Sequence, residues 1–393
     1  MMKPLDGIKV VDFSRVLAGP MATQIMSDQG AEVIKVERPG TGDESRSFEP
    51  AFDGGQSAYF CAFNRGKKSV AIDLRSEEGR QIALDLAAQA DVIVENFLPG
   101  GMEKLGLGYD TVSARNPAVI YISNTGFGQT GPYKDRKGYD TVFQALSGVI
   151  DLTGHPDGAP AKVGVPFADM TSGLWIVIAA MTGLLGRATS GRGCHVDLAM
   201  MDVQVSLLSL PTMWWFAQRR EPTRTGTEHL GRVPSAAFEC RDGEWVFISA
   251  SDQHWPAVCD VLDLDAPEWM DKNAMRVERR DEVMSMLRAA ILPWARGELA
   301  DMLRAAGVPA GEVNTVPEIL DDPHIRFRGM VAEFDDPDRG ETQCLATPGR
   351  FSGYDPIEFL APPKLGADTD AVLRSLGVDG TRLTELRDKG VVA

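Results

Sequence analysis

The chain has 393 residues, 44% hydrophobic and 24% charged, the balance of a folded globular protein rather than a disordered one. Its 40 Lys and Arg against 56 Asp and Glu give a net charge of −16. Such a field opposes broad binding to nucleic acid or anionic membrane, so any anionic ligand has to be gripped by a local cluster of cations. The five cysteines (Cys61, Cys194, Cys240, Cys259 and Cys344) form no CxxC or Cys/His cluster, which points to reduced thiols and to no zinc or redox motif. The opening MMKPLDGIKVVDF meets Asp6 and Asp12 before any signal-length apolar run, and a soluble cytoplasmic protein is expected.

Taken in order, GIKVVDF reads as a strand and LAGPMATQIMSDQG as a helix stopped at Gly30. AEVIKVE and KSVAIDL are strands, and Ser76–Ala90 carries the helical spacing of Ile82, Leu84, Leu86 and Ala87. ADVIVENF and AVIYISNTGFG are two more strands. Short Val/Ile-rich runs alternating with helical segments predict an α/β fold with a parallel sheet of βαβ units. Ligands of such sheets sit at the C-terminal strand ends, which singles out Ser14-Arg15, Glu37-Arg38, Asp73-Leu74, Asn96-Phe97 and the residues from Asn124 onward.

From Asp169 a long helix is expected, followed by a second over Asp202–Trp215 that is stopped or kinked at Pro211. Their uncharged stretches, Met170–Gly186 and Val203–Gln218, are shorter than the roughly 20 residues of a membrane span and read as buried helices. The polar QRREPTRTGTEHLGRVP reads as a linker. SAAFECRDGEWVFISAS reads as a hairpin turning at Asp242-Gly243, and Asp281–Trp294 and Arg296–Ala306 as helices of a smaller α+β unit. Pro- and Gly-rich text follows residue 330, then a final helix over Thr369–Leu376. The domains expected are 1–215 completed by 331–393, a linker over 216–234, and a small domain over 235–330.

One G-x-G-x-x-G occurs, Gly126 to Gly131, but Pro132 and the charged YKDRKGYD follow it. No helix opens on the glycines to receive a pyrophosphate, and a glycine-rich loop is the better reading. Arg15, Arg38, Arg65, Lys67, Lys68, Lys104 and Lys137 lie at or after strand ends, where they suit either a phosphate-bearing ligand or plain solvation. Asp169, just before an apolar helix, reads as an N-cap, or as a nucleophile with first-turn N–H groups stabilising an oxyanion. The five histidines have no metal or triad spacing, and His195 reads as packing.

Several separated blocks together resemble the class III CoA-transferase family, which includes formyl-CoA:oxalate and carnitine-type CoA-transferases and the related 2-methylacyl-CoA racemases. The blocks are PLDGIKVVDFSRVLAGP, GAEVIKVERPGTGDESR, FNRGKKSVAIDL, ADVIVENFLPGGMEKLGLGYD, GFGQTGPYKDRKGYD, VGVPFADMTSG and GVPAGEVNTVPEILDDPH. The resemblance implies a Rossmann-like large domain with a parallel sheet, a smaller inserted α+β domain and an interlocked homodimer. It implies acyl-CoA and a small carboxylic acid as substrates, with coenzyme A bound and no metal. Asp169 matches the catalytic aspartate, which would form an aspartyl anhydride and then an aspartyl-CoA thioester. Coenzyme contacts carry over onto Arg15, Val16, Arg38, Leu74, Asn96, Phe97, Lys104 and Lys137, and substrate contacts onto Gly131, Tyr139 and Asp140.

The racemase branch has Gly-His-Asp where this chain has Gly138-Tyr139-Asp140. A phenol is a poor substitute for imidazole in proton transfer near neutrality, which favours transfer over racemisation. Oxalate-specific members carry a glycine-rich lid where this chain has ISASDQHW, which argues against formyl-CoA:oxalate specificity. The alternatives are a 2-methylacyl-CoA epimerase and a CoA-binding protein without catalysis.

Overall fold

Six short runs rich in Val and Ile pair side by side as parallel strands: β1 (Lys9–Asp12), β2 (Glu32–Glu37), β3 (Lys68–Ala71), β4 (Val92–Glu95), β5 (Ile120–Thr125) and β6 (Cys194–Ala199). The structure, a computed structural model, describes residues 2–393. The strand order is β3-β2-β1-β4-β5-β6. Val10, Val92, Ile93, Val94, Ile120 and Ile122 have no solvent exposure. Helices cover both faces of the sheet, so strands without hydrophobic alternation are the sequence such a sheet demands. The order reverses between β1 and β4, and the loops leaving those two strands diverge to open a crevice.

The connections are capped where their sequences predict. The helix Ala18–Asp28 follows β1 and gives way to Gly30 at φ +104°, a conformation open to glycine and strained for other residues. Ser76 caps Glu77–Ala87, its Oγ accepting the Gly79 N–H at 2.9 Å. The chain's end rejoins the same core: Val372, Leu373, Leu383 and Leu386 cluster with Val70 and Ile72, and the Ala71 N–H donates to Thr369 Oγ1 at 3.1 Å. These residues lie on two helices, Thr369–Ser375 and Gly380–Asp388; the sequence reading found only the first.

The chain divides into two compact units. One comprises Met1–Val149, Val163–Met213 and Arg326–Ala393, the other Ile150–Lys162 and Trp214–Ile325. The second holds an antiparallel sheet of β7 (Ser235–Glu239), β8 (Trp245–Ser249) and β9 (Ala310–Glu312). Its hairpin turns as expected, with Gly243 at φ +76° and its N–H bonded to Cys240 O at 3.0 Å. No helix or strand lies between Gln218 and Ser235. In the first unit, β10 (Val331–Asp336) and β11 (Gly340–Leu345) form a second hairpin that the Pro- and Gly-rich text concealed.

The expectation of two buried helices needs correction. Phe167–Ser190 buries a stripe of mostly small residues, Ala168, Ser172, Gly173, Ile176 and Ala180. A Cβ on Gly173 would stand 2.9 Å from Ala18 O, so the small side chains let the backbones come close. The large ones face outward: Leu174 is 48% exposed, Trp175 40%, Ile178 50% and Leu185 73%. Among the described residues this is the one helix long and apolar enough, by length and composition, to cross a membrane. The next stretch breaks at Leu207-Leu208 into Met200–Ser206 and Ser209–Gln218. Pro211 therefore does not stop a helix; it sits in the first turn of the second, where its missing N–H costs nothing. That second helix buries no residue.

Candidate functional site

A cleft of about 720 Å³ opens at the C-terminal ends of β1, β2, β3 and β4. Its lining includes Arg15, Arg38, Leu74 and Phe97, four of the residues selected from sequence, because each lies in the loop just beyond a strand end. The Arg15 guanidinium lies 5.0 Å from the centre of the Phe97 ring. Arg75, which the sequence reading passed over, lines the same cleft, although its place after β3 was the same signal that selected Leu74. The side chains of Arg38 and Arg75 make no hydrogen bond or ion pair among the described residues. On a chain this acidic, two uncommitted guanidiniums in one cleft suit a phosphate-bearing ligand.

Asn96 and Val16 do not line the cleft; they hold its rim. The Asn96 side chain clasps the loop after β1, Oδ1 accepting the Arg15 N–H at 2.9 Å and Nδ2 donating to Arg15 O at 2.8 Å. Val16 stands at φ +70°, which costs a β-branched residue roughly 1–3 kcal/mol. Its N–H donates to the Asp43 carboxylate at 3.2 Å. Asp43 in turn pairs with fully buried Lys35 at 2.9 Å. Alongside, Lys67 donates to Asp12 at 3.1 Å, to Pro20 O at 2.9 Å and to Asn64 Oδ1 at 2.8 Å. Burial pushes the Asp12 carboxyl up, but Lys67 and Lys35 outweigh it and hold the group at about 2.

This network corrects part of the basic cluster. Arg65 is buried against Asp28 at 3.3 Å and Lys67 against Asp12, so both are internal counter-ions. Lys68 begins β3, at the end of the sheet away from the cleft, and pairs with Glu32 at 2.5 Å. Lys104 ends the short helix Gly101–Lys104, next to the lining residue Leu105. Lys137 lies exposed in the loop before Asp140.

Asp169 is the third residue of Phe167–Ser190 and not its N-cap. The capping group comes from elsewhere: Asp140 Oδ1 accepts the N–H groups of Ala168 at 2.7 Å and Asp169 at 3.2 Å, while Gln144 Nε2 holds Asp140 Oδ2 at 2.6 Å. Those two N–H groups are therefore already used, and the expectation that first-turn amides receive an oxyanion does not hold for them. Burial first, and the Asp140 charge second, raise the Asp169 carboxyl to about 7. Among the described residues no cation offsets either effect.

The glycine-rich loop leads into this centre. A Cβ on Gly126 of that loop, or on Gly138 beyond it, would stand 2.6 Å from the Phe143 ring, so close packing on Phe143 explains one of the loop's glycines without a phosphate. Gly131 takes φ +95° and is exposed. Tyr139 precedes the helix Asp140–Leu146 with its side chain 82% exposed. Tyr59, absent from the sequence reading, belongs here too. Burial, then the carboxylates of Asp169, Asp140 and Asp43, push its phenol to about 12. It thus lies within electrostatic reach of both Asp169 and a lining residue of the cleft. Among the described residues no group of three or more His, Cys, Asp or Glu is placed to hold a metal ion.

The model of CoA-transferase family III matches residues 5–369. The chain is 38% identical over 397 residues to the succinyl-CoA:glutarate CoA-transferase of Homo sapiens, covering all of this chain and 90% of that protein. It is 38% identical over 383 residues to the succinate–glutarate CoA-transferase of Agrobacterium fabrum, covering 95% of this chain and 96% of that protein. A crystal structure of a CAIB/BAIF family protein from Brucella suis superposes with a TM-score of 0.87 at 40% identity, covering 96% of this chain and all of the other.

Proposed function

Because the chain belongs to CoA-transferase family III and is a CoA-transferase acting between acyl-CoA and carboxylates, we propose that it moves CoA from succinyl-CoA or a similar donor to a small dicarboxylate of the glutarate class, with Asp169 as the covalent nucleophile. The succinyl and glutaryl groups are those named for its relatives. The observation that carries the nucleophile is the setting of Asp169: a carboxylate at a helix start, raised to about 7 by burial and by Asp140 with no cation beside it. A carboxylate of that basicity attacks more readily than one stabilised by an ion pair, and half of it is ionised at neutral pH.

The Asp169 carboxylate attacks the donor's acyl carbon and CoA leaves as thiolate, giving a mixed anhydride. The thiolate then attacks the aspartyl carbonyl, releasing the donor acid and forming an aspartyl-CoA thioester. The acceptor carboxylate attacks that thioester, regenerating thiolate and a second anhydride. Attack of the thiolate on the acceptor's acyl carbon completes acceptor-CoA and frees Asp169. Every step exchanges one activated acyl state for another. The cleft of Arg15, Arg38, Arg75 and Phe97 supports placing the coenzyme there, its phosphates on the guanidiniums.

The test is intact-mass analysis during turnover with hydroxylamine or borohydride trapping, beside Asp169→Ala assayed on a panel of acyl-CoA donors and acids. A modified Asp169 and a variant without transfer are expected. Undiminished transfer in the variant removes Asp169 from the mechanism. The outward face of Leu174, Trp175, Ile178 and Leu185 further supports a homodimer, a second copy covering apolar surface that one chain leaves in water. Sedimentation of wild type against Trp175→Glu checks it.

A further inference from the structure

Gln144 has no solvent exposure and stands one turn after Asp140 on the helix Asp140–Leu146, a spacing at which two side chains meet. Its Nε2 donates to Asp140 Oδ2 at 2.6 Å, and its Oε1 accepts the Val163 N–H at 3.0 Å. A carboxylate only accepts and a main-chain N–H only donates, so the amide has one orientation and cannot turn over. Asp140 Oδ1 meanwhile accepts the N–H groups of Ala168 and Asp169. Gln144 thus ties the group that caps the Asp169 helix to the segment that leads into that helix.

We propose that Gln144 is a positioning residue for the transfer reaction, holding the Asp140 carboxylate against the first turn of the Asp169 helix and so fixing where the nucleophile and its neighbouring charge stand. This rests on Asp169 being the nucleophile. Being wholly buried, Gln144 meets no substrate and acts through Asp140. An amide serves both of its partners without adding a charge. A hydrocarbon in its place would leave Asp140 Oδ2 untethered, and a glutamate would set a second carboxyl against it.

The placement matters because burial first, and the Asp140 charge second, put the Asp169 carboxyl at about 7. Of the elements packed against Phe167–Ser190, the helix Asp140–Leu146 supplies that charge. Among the described residues the helices Ala18–Asp28 and Met200–Ser206 and the strands β5 and β6 add none. Tyr59 faces Asp169 from the helix Ala58–Phe63 as a neutral phenol.

The test exchanges the two groups. Asp140→Asn turns an amide N–H toward the Gln144 N–H, and Gln144→Glu turns a carboxylate toward Asp140, so each single variant mismatches the contact. Together they match again, the new amide donating to the new carboxylate, which still accepts from Val163. The charge has then moved one side chain farther from Asp169. Steady-state transfer, its pH profile and thermal melts are compared for wild type, both single variants and the double. At pH 8, Gln144→Glu is expected to lower kcat at least about tenfold and to leave KM for acyl-CoA within about twofold. The double variant is expected to regain about five- to tenfold in kcat over Gln144→Glu, and Tm with it. Its rate limb should lie at lower pH than that of the wild type.

Losses that simply multiply in the double variant overturn the proposal. Recovery of Tm without kcat makes the contact structural alone and overturns the positioning role. A limb no lower than the wild type's overturns the part given to the Asp140 charge. If Gln144→Glu does not fold, recovery of the double variant over Asp140→Asn decides the same question. Asp169 that stays unmodified under turnover overturns the nucleophile and this role with it, whichever way the exchange falls.

Discussion

The main-chain N–H of Asp169 donates to Oδ1 of Asp140 at 3.2 Å, so the proposed nucleophile begins its helix on another residue's carboxylate. Asp140 thereby anchors the first turn and adds a like charge to Asp169.

The two effects separate in Asp140→Asn. The amide oxygen still accepts from Ala168 and Asp169, while the charge is gone. The Asp169 carboxyl, now at about 7, should move down but stop above its ordinary value, because burial, the larger cause, remains. Transfer requires the ionised form, so kcat/KM of the wild type should rise with pH through about 7. In the variant that limb should shift to lower pH, which a pH–rate profile will show. A limb that stays in place would remove Asp169 titration as its origin.

The same setting carries a stability cost. Asp169 binds its proton more tightly folded than unfolded, so stability should fall as pH rises from about 4 to about 7 and stay reduced above that. Asp169→Asn removes the ionisable group and should be more stable than wild type at pH 8, by a few degrees in Tm. The two should converge near pH 4. Thermal melts at both pH values check this, and the variant's lack of transfer would mark the cost as functional.

Much of this was readable without coordinates. The parallel sheet follows from the runs KVVD, EVIKVE and VIVE, because strands buried on both faces must be apolar throughout. Arg15, Arg38, Leu74 and Phe97 follow from their place after strand ends. What failed is instructive in the same terms. Arg65 and Lys67 had the right local context but point inward to Asp28 and Asp12, a choice that only tertiary packing makes. Met170–Gly186 reads as buried because an uncharged stretch measures how apolar a helix is, not how many neighbours it has in one chain. The partners of Asp169 were hidden because Asp140 and Tyr59 lie far from it along the sequence.

Among the described residues the side chains of Arg38 and Arg75 have no hydrogen-bond or ion-pair partner. If they meet the coenzyme's phosphates, Arg38→Ala and Arg75→Ala should each raise KM for acyl-CoA about tenfold, the loss of a charge-assisted bond. The kcat should change little, since neither touches the reacting carbon. Added salt should weaken wild-type binding more than that of the double variant. Steady-state kinetics at two ionic strengths distinguish this from a folding defect, which would lower active-site concentration and leave KM unchanged.

Asn96 gives the sharpest test of how the rim is held. Its amide makes two hydrogen bonds to Arg15, one as acceptor and one as donor, and the next residue, Val16, sits in a strained backbone region. Asn96→Ala removes both bonds and should cost about 1–3 kcal/mol. Val16 should then relax toward negative φ, carrying Arg15 away from Phe97, so KM for acyl-CoA should rise along with the loss of Tm. Adding Val16→Gly to Asn96→Ala separates the two effects, because glycine takes φ +70° without strain. The double variant should recover part of both Tm and KM if backbone strain drives the loop open. Recovery of neither would mean that Asn96 acts on the coenzyme itself, not through the Arg15 loop.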